Sequence, residues 1–272
     1  MIDSKTRMAA VIGNPIEHSL SPLIHNAGIR EKNLNFIYLA FKITNVKDSI
    51  IAMRELGIVG YSVTIPHKIE VMNYLDEVEV KAKLIGAVNT VVNKNGKLVG
   101  YNSDCTGAMN ALKEKTQISG KRVYILGAGG VARAIVAGLV EEGAKVKIFD
   151  ILAQKAVDLA RDFNCSSGQL GEVDSNCDIL INASPIGMHP KVDEMAVSEN
   201  VLKKEMVVFD VVYNPLQTKL LKTAKNKGCV IVEGVEMFLG QAYVQFEMFF
   251  GEKAPKEIMR KVLLEELTKK QK

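Results

Sequence analysis

The chain has 272 residues, 47% of them apolar and 24% charged, with 35 basic against 31 acidic side chains and no tryptophan. That length favours two domains over a single core, and the composition excludes a disordered or collagen-like chain. A net charge of +4, part of it in the terminal TKKQK run, gives no case for a nucleic-acid binder but suits small anionic ligands.

In chain order, MAAVIG (8–13) predicts a short apolar strand, and Ser21–Pro22 opens a helix over 21–33. FIYLAFKI reads as a strand and VKDSIIAMRELG as a helix closed by Gly57. GYSVTI follows as a half-buried strand, Tyr61, Val63 and Ile65 alternating with Ser62 and Thr64. HKIEVMNYL and VEVKAKLIG read as helices, AVNTVVN and KLVGYN as a hairpin around KNG, and about 104–115 as a helix. From there the alternation is regular: strand 121–126, helix GVARAIVAGLVEEG, strand 145–150, helix AQKAVDLARDF, strand 178–184. Strand MVVFDVVY, helix TKLLKTAKNKG and strand CVIVEG complete it, and 236–270 reads as helical with Pro255 as a break. Repeated βα units predict a parallel sheet covered by helices on both faces. The expected fold is α/β with two α/β domains. One covers 1–105 plus returning C-terminal helices at 236–272, and the other is a Rossmann-type parallel sheet over 106–235.

Cys105, Cys165, Cys177 and Cys229 form no C-x-x-C pair and have no histidine at metal-ligand spacing. His18, His25 and His189 show no metal-like constellation either, so no metal is expected. Scattered thiols fit a reducing compartment. MIDSKTRMAAVIGNP lacks the apolar run of a signal peptide, and no run reaches a membrane span, so a cytoplasmic location is expected.

VYILGAGGVARA fits G-x-G-x-x-A at Gly127, Gly129 and Ala132. The first glycine allows a tight turn, the second admits a pyrophosphate, and the small third residue lets helix and strand pack closely. The helix N-terminus offers N–H groups and partial positive charge to an anion. A strand precedes the turn, a helix follows, and the next strand ends in Asp150, 23 residues after Gly127. That context points to a nicotinamide cofactor and hydride transfer.

Such chemistry needs a substrate site and a proton-transferring group. Polar clusters stand at strand ends in GNPIEHSLSP, GYSVTIPHK, GAVNT and GYNSDCTG. Together with GAGGVARA, INASPIGM, DVVYNPLQT and EGVEMFLGQA, these blocks resemble the shikimate dehydrogenase family in order and over nearly the whole chain. The resemblance implies reversible reduction of 3-dehydroshikimate to shikimate with NADP or NAD, in aromatic amino acid biosynthesis, at a site between two domains. It implies a small-molecule substrate, no nucleic-acid or membrane partner, and it admits a homodimer. Position by position, it implies that Ser19 and Ser21 bind the substrate carboxylate, with Tyr213 assisting. Thr64, Asn89 and Gln241 would hold ring hydroxyls, and Lys68 and Asp104 would flank the hydroxyl that is oxidised. Gly127, Ala128, Gly129, Gly130 and Val131 would bind the pyrophosphate, while Val211, Gly234 and Met237 would line the nicotinamide pocket.

Taken singly, these residues also have plain structural readings. A lysine in a first helical turn is usually solvated; Ser21 or Asp104 could cap helices; His67 reads as structural. Two effects would act on the Lys68 ammonium in opposite senses: a helix N-terminus disfavours it and a nearby Asp104 favours it. General base and electrostatic anchor both stay open. The residues of EMFLGQAYVQFEMFF, apart from Met237 and Gln241, read as core. Quinate dehydrogenase is the nearest alternative, and the paired serines favour shikimate over it. A non-catalytic dinucleotide-binding protein is the alternative from another class, disfavoured by the Lys68/Asp104 pair.

One stretch departs from the family pattern. The family's usual NADP-binding element carries an arginine after the second Rossmann strand, where this chain has Asp150, Ile151 and Leu152. A carboxylate accepts ribose hydroxyls and repels a 2′-phosphate. NAD is therefore the expected preference, with Lys155 or Arg161 as competing phosphate ligands.

Overall fold

The computed structural model describes residues 2–269, so the last three residues of the basic C-terminal run lie outside the described residues. The chain divides into two compact units, one running from the N-terminus through Ser103 and resuming at Gln241, the other Asp104–Gly240.

The first unit contains β1 (Arg7–Gly13), α1 (Ser21–Glu31), β2 (Phe36–Lys42), α2 (Val46–Glu55), β3 (Gly60–Val63), β4 (Glu77–Val78), α3 (Val80–Ile85), β5 (Thr90–Lys94) and β6 (Lys97–Tyr101). Its sheet runs β2-β1-β3-β5-β6-β4. It is mixed: β1 lies parallel to β2 and β3, β5 is antiparallel to both β3 and β6, and β4 is parallel to β6. The antiparallel β5–β6 pair follows from its turn, where Asn95 (φ 55°) and Gly96 (φ 92°) both take the left-handed conformation of a two-residue hairpin loop.

The second unit contains β7 (Arg122–Leu126), α5 (Gly130–Glu141), β8 (Lys145–Asp150), α6 (Ala153–Asp162), β9 (Ser166–Gln169), β10 (Ile179–Asn182), β11 (Val207–Asp210), α7 (Lys219–Asn226) and β12 (Val230–Val232). Helix α4 (Ser103–Lys113) leads into it, α8 (Gly234–Phe250) leaves it, and α9 (Lys256–Lys269) follows in the first unit. Its sheet order, β12-β11-β10-β7-β8-β9, is wholly parallel. Counted from its own first strand, that order is 6-5-4-1-2-3, the Rossmann arrangement, and its topological switch point lies between β7 and β10. All four residues of β10 and of β11 are buried, as a sheet covered on both faces requires.

In the first unit, α9 turns Met259, Leu263 and Leu267 inward at four-residue spacing. A Cβ on Gly28 of α1 would sit 2.7 Å from the Phe246 ring and 3.3 Å from Met259 Sδ, so a glycine there lets α1, α8 and α9 pack closely.

Several segments differ from their sequence reading. β3 stops at Val63 with both faces buried, while Ile65 is 62% exposed. Single bonds to β1 continue at Thr64 and Ile65, and Pro66, which cannot donate to a ladder, closes the pairing. HKIEVMNYL forms a turn and then a short 3₁₀ segment, Glu70–Tyr74, so Lys68 does not occupy a helical first turn. Strands β4 and β9 (SSGQ) carry no period-two apolar signal and exist as edges recruited by β6 and β8.

Candidate active site

In the first unit, polar residues collect where β1 and β3 end and β5 begins. Beyond β3 the chain still follows β1, with Thr64 N donating to Ile12 O (3.0 Å) and Asn14 N to Ile65 O (3.0 Å). On the other side Val63 N donates to Asn89 O (2.8 Å) and Val88 N to Lys68 O (2.8 Å). The backbone of Thr64 through Lys68 is thus held beside that of Val88 and Asn89. Thr64 is half-buried, and Lys68 is only 8% exposed, unlike a solvated surface lysine. Without an α-helix at Lys68, the helix-dipole influence expected on its ammonium falls away.

The two serines do not behave as ordinary caps. Ser21 is the first residue of α1, after Leu20, whose side chain makes no capping bond. The Ser19 hydroxyl accepts the Ser21 N–H at 3.3 Å. Asp104 lies inside the first turn of α4 and is buried, which removes the cap reading for it too. The α4 N-terminus is instead met by Asn89, whose Oδ1 accepts the Ser103 N–H at 2.7 Å. Gln241, on α8, is buried. His67 is buried with its Nδ1 3.6 Å from Glu70 Oε2, beyond hydrogen-bond range. His25 stacks on Tyr38 (4.2 Å between centroids), and burial lowers its pKa to about 3, which makes it a neutral core residue. No group of three or more potential ligands among the described residues is placed to hold a metal.

In the second unit, the glycine turn stands at the switch point. Gly127 has φ +110°, and a Cβ on it would lie 2.9 Å from Ala183 O at the end of β10. A Cβ on Gly129 would enter open space in front of α5, a helix whose N-terminus no side chain caps. An uncapped N-terminus beside a glycine cradle fits a pyrophosphate. The Ala128 N–H is engaged elsewhere: it donates to Asp150 Oδ2 at 2.8 Å, while Asp150 Oδ1 accepts from Leu152 N at 2.8 Å. Asp150 therefore braces the turn from the end of β8. The N–H groups of Gly130 and Val131 in the first turn of α5 remain for an anion.

At the ends of β11 and β12, a Cβ on Gly234 would approach Val212 O at 2.5 Å and Val211 O at 2.6 Å, so only glycine lets α8 start against this loop. Val211 and Gly234 meet at this corner, and the buried Met237 follows one turn further along α8. Tyr213 stacks on Phe238 (4.4 Å), and burial pushes its phenol up to about 12, keeping it a donor.

A network that the sequence reading missed braces this corner. Asp210 accepts from Thr218 Oγ1 (2.6 Å), Asn182 Nδ2 (3.0 Å) and Val212 N (3.1 Å), and the Ser184 hydroxyl donates to Asn182 Oδ1 (2.6 Å). Its signal was a polar residue closing each of two wholly apolar strands, ILIN and VVFD. Burial raises the Asp210 pKa from 3.8 to about 6 despite these bonds. The unfolded state thus releases this proton at lower pH than the folded state. Its contribution to stability is complete below pH about 3.8 and is lost as pH rises through about 6. Asp210→Asn should therefore gain on wild type by about 2 kcal/mol between pH 4 and pH 7. Denaturant unfolding across that range checks this, and a pH-independent difference between the two proteins rules it out.

A parallel sheet in Rossmann order, with a glycine cradle at its switch point and a carboxylate closing its second strand, defines a dinucleotide-binding protein of the oxidoreductase class. The chain also matches family models described as shikimate dehydrogenase substrate binding domain (residues 11–91), shikimate/quinate 5-dehydrogenase (109–219) and shikimate 5′-dehydrogenase C-terminal domain (234–264). It belongs to the shikimate dehydrogenase family. A shikimate dehydrogenase (NADP(+)) of Methanocaldococcus jannaschii is 42% identical, over 99% of this chain and 100% of that protein. A crystal structure of a shikimate dehydrogenase in complex with NADP+ superimposes with a TM-score of 0.94 at 40% identity, covering 98% of each chain. The Listeria monocytogenes shikimate 5-dehydrogenase, solved with shikimate and NAD, gives 0.86 at 34% identity, covering 96% of this chain and 98% of that one. No helix among the described residues is long and apolar enough to cross a membrane.

Proposed function

We propose that this protein interconverts 3-dehydroshikimate and shikimate with a nicotinamide cofactor, as a cytoplasmic enzyme of aromatic amino acid biosynthesis. The observation that carries the chemistry is the burial of Lys68 beside the polar ends of β1, β3 and β5. The substrate domain is residues 1–105 with the C-terminal helices, and 106–235 is the dinucleotide domain.

Bound nicotinamide supplies the hydride in reduction and accepts it in oxidation. Lys68 gives a proton to the carbonyl oxygen as that oxygen becomes an alcohol, and takes it back in the reverse direction. Its ammonium stabilises the alkoxide character that develops before the proton arrives. Asp104 holds the same hydroxyl. Ser19 and Ser21, with the protonated Tyr213 phenol, bind the carboxylate, while Thr64, Asn89 and Gln241 hold the ring hydroxyls. Gly127 to Val131 form the pyrophosphate turn, and Val211, Gly234 and Met237 line the nicotinamide pocket. Asp150, with no arginine at Ile151, favours NAD over NADP.

Steady-state oxidation of shikimate and quinate tests the substrate assignment. Quinate bears an added hydroxyl beside its carboxylate, and this chain keeps both serines that address that end. Shikimate should give the higher kcat/KM, and equal or better turnover of quinate overturns the assignment.

A further inference from the structure

A buried chain of hydrogen bonds connects α8 to Asn89. Tyr38 Oη donates to Ser62 Oγ (2.6 Å), and Ser62 Oγ donates to Gln245 Oε1 (2.7 Å). Gln245 Nε2 donates to Thr90 Oγ1 (3.0 Å) and to the Asn89 main-chain carbonyl (3.2 Å). Thr90 Oγ1 then donates to Asn89 Oδ1 (2.8 Å), which also accepts from Ser103 N (2.7 Å). Asn89 Nδ2 donates to the Ser103 hydroxyl (3.0 Å). All six residues are buried, from Tyr38 at 0% to Ser62 at 6% exposure.

The direction of this chain is set at two points by groups that have only one role. The Asn89 carbonyl can only accept, so the Gln245 nitrogen faces it and the Gln245 oxygen faces Ser62. The Ser103 N–H can only donate, so Asn89 Oδ1 faces it. Thr90, accepting from Gln245, stands 2.8 Å from Asn89 Oδ1, and the Ser103 hydroxyl stands 3.2 Å from both Asn89 Oδ1 and Thr90 Oγ1, so whichever hydroxyl donates to the other, a hydroxyl proton reaches Asn89 Oδ1. Burial pushes the Tyr38 phenol far above its ordinary range, so the far end stays a donor. Both lone pairs of Asn89 Oδ1 are therefore filled, and one of its two amide hydrogens is used on Ser103. What Asn89 has left is a single N–H.

We propose that Gln245 and Thr90 are positioning residues that hold Asn89 as a pure hydrogen-bond donor toward an acceptor oxygen on the substrate ring. This rests on the reading of Asn89 as a substrate ligand given above. Neither residue touches substrate; each acts through Asn89. A bond of this kind serves ground state and transition state alike, so its loss raises KM more than it lowers kcat.

The test uses Asn89→Ala, Thr90→Val, Thr90→Ser, Gln245→Met and the Thr90→Val/Gln245→Met double variant, each checked for thermal unfolding. KM is measured for shikimate and for cofactor. Thr90→Val and Gln245→Met should each raise shikimate KM by about tenfold, the scale of one lost buried hydrogen bond. Thr90→Ser, which keeps the hydroxyl, should stay within about twofold, and cofactor KM should not move in any of them. Because the two residues act in series, the double variant should be no worse than the poorer single. A responsive Asn89→Ala with unchanged KM in Thr90→Val and Gln245→Met overturns the positioning role alone. An unresponsive Asn89→Ala overturns the reading of Asn89 itself, and the positioning role with it. Should Thr90→Val fail to fold, Gln245→Met still decides between these outcomes.

Discussion

Lys68→Ala should lower kcat by about two to four orders of magnitude, the range expected for loss of a proton-transferring or charge-stabilising group. The shikimate KM should change far less, because the contribution is made as charge develops on oxygen and not when the ground state binds. The lysine is 8% exposed, and its backbone is tied to Val88 within a turn and not a helix, so truncation removes the amine with little consequence for a helical scaffold. A thermal unfolding midpoint close to wild type would accompany the loss. Near-normal kcat with a raised KM would show that Lys68 only binds.

The second large effect concerns the cofactor. Wild type should favour NAD over NADP in kcat/KM, and Asp150→Asn combined with Ile151→Arg should shift that ratio toward NADP by about a hundredfold or more. A carboxylate has about four acceptor positions, and Asp150 uses two of them on the Ala128 and Leu152 N–H groups. The others suit ribose hydroxyls, whereas a 2′-phosphate brings nearly two negative charges against the same group. Ile151 is 82% exposed, so an arginine there meets no packing obstacle. Arg161 is paired with Asp158 at 3.0 Å on its own helix, leaving Lys155 as the principal rival for the phosphate. Since Asp150 also braces the glycine turn, the readout is the NADP/NAD ratio and not the absolute rate. The relatives named for NADP(+) make this a sharp test. Wild type preferring NADP, or an Asp150→Asn protein whose ratio stays fixed, would sink it.

Much of the molecule was legible in local sequence pattern, because local pattern has local causes. The Asn95–Gly96 hairpin follows from turn chemistry. The turn at Gly127 follows from a backbone conformation that side chains resist. Long helices such as α1 and α5 follow from apolar spacing sustained over several turns. The order of the eight sequence blocks carries the family resemblance by itself.

What required the tertiary structure was everything set by distant pairing. β9 is a strand because β8 offers it a ladder, although SSGQ has little strand propensity. The first sheet is mixed because β5 enters beside β3 in the opposite sense, a choice no single segment encodes. Lys68 lies on a turn because Pro66 closes the pairing with β1 and only a short 3₁₀ segment follows, which apolar periodicity read as a helix. Gln245 was read as core from its own helix, and its partners stand 155, 156 and 183 residues away in the chain. By itself the sequence determined the glycine turn, the helix faces and the order of the polar blocks, because residue type and local spacing set turn geometry and periodicity. The tertiary structure decided which residues brace one another. A buried polar side chain must find its donor or acceptor wherever the fold brings one within about 3 Å, and that distance depends on the packing of the whole unit.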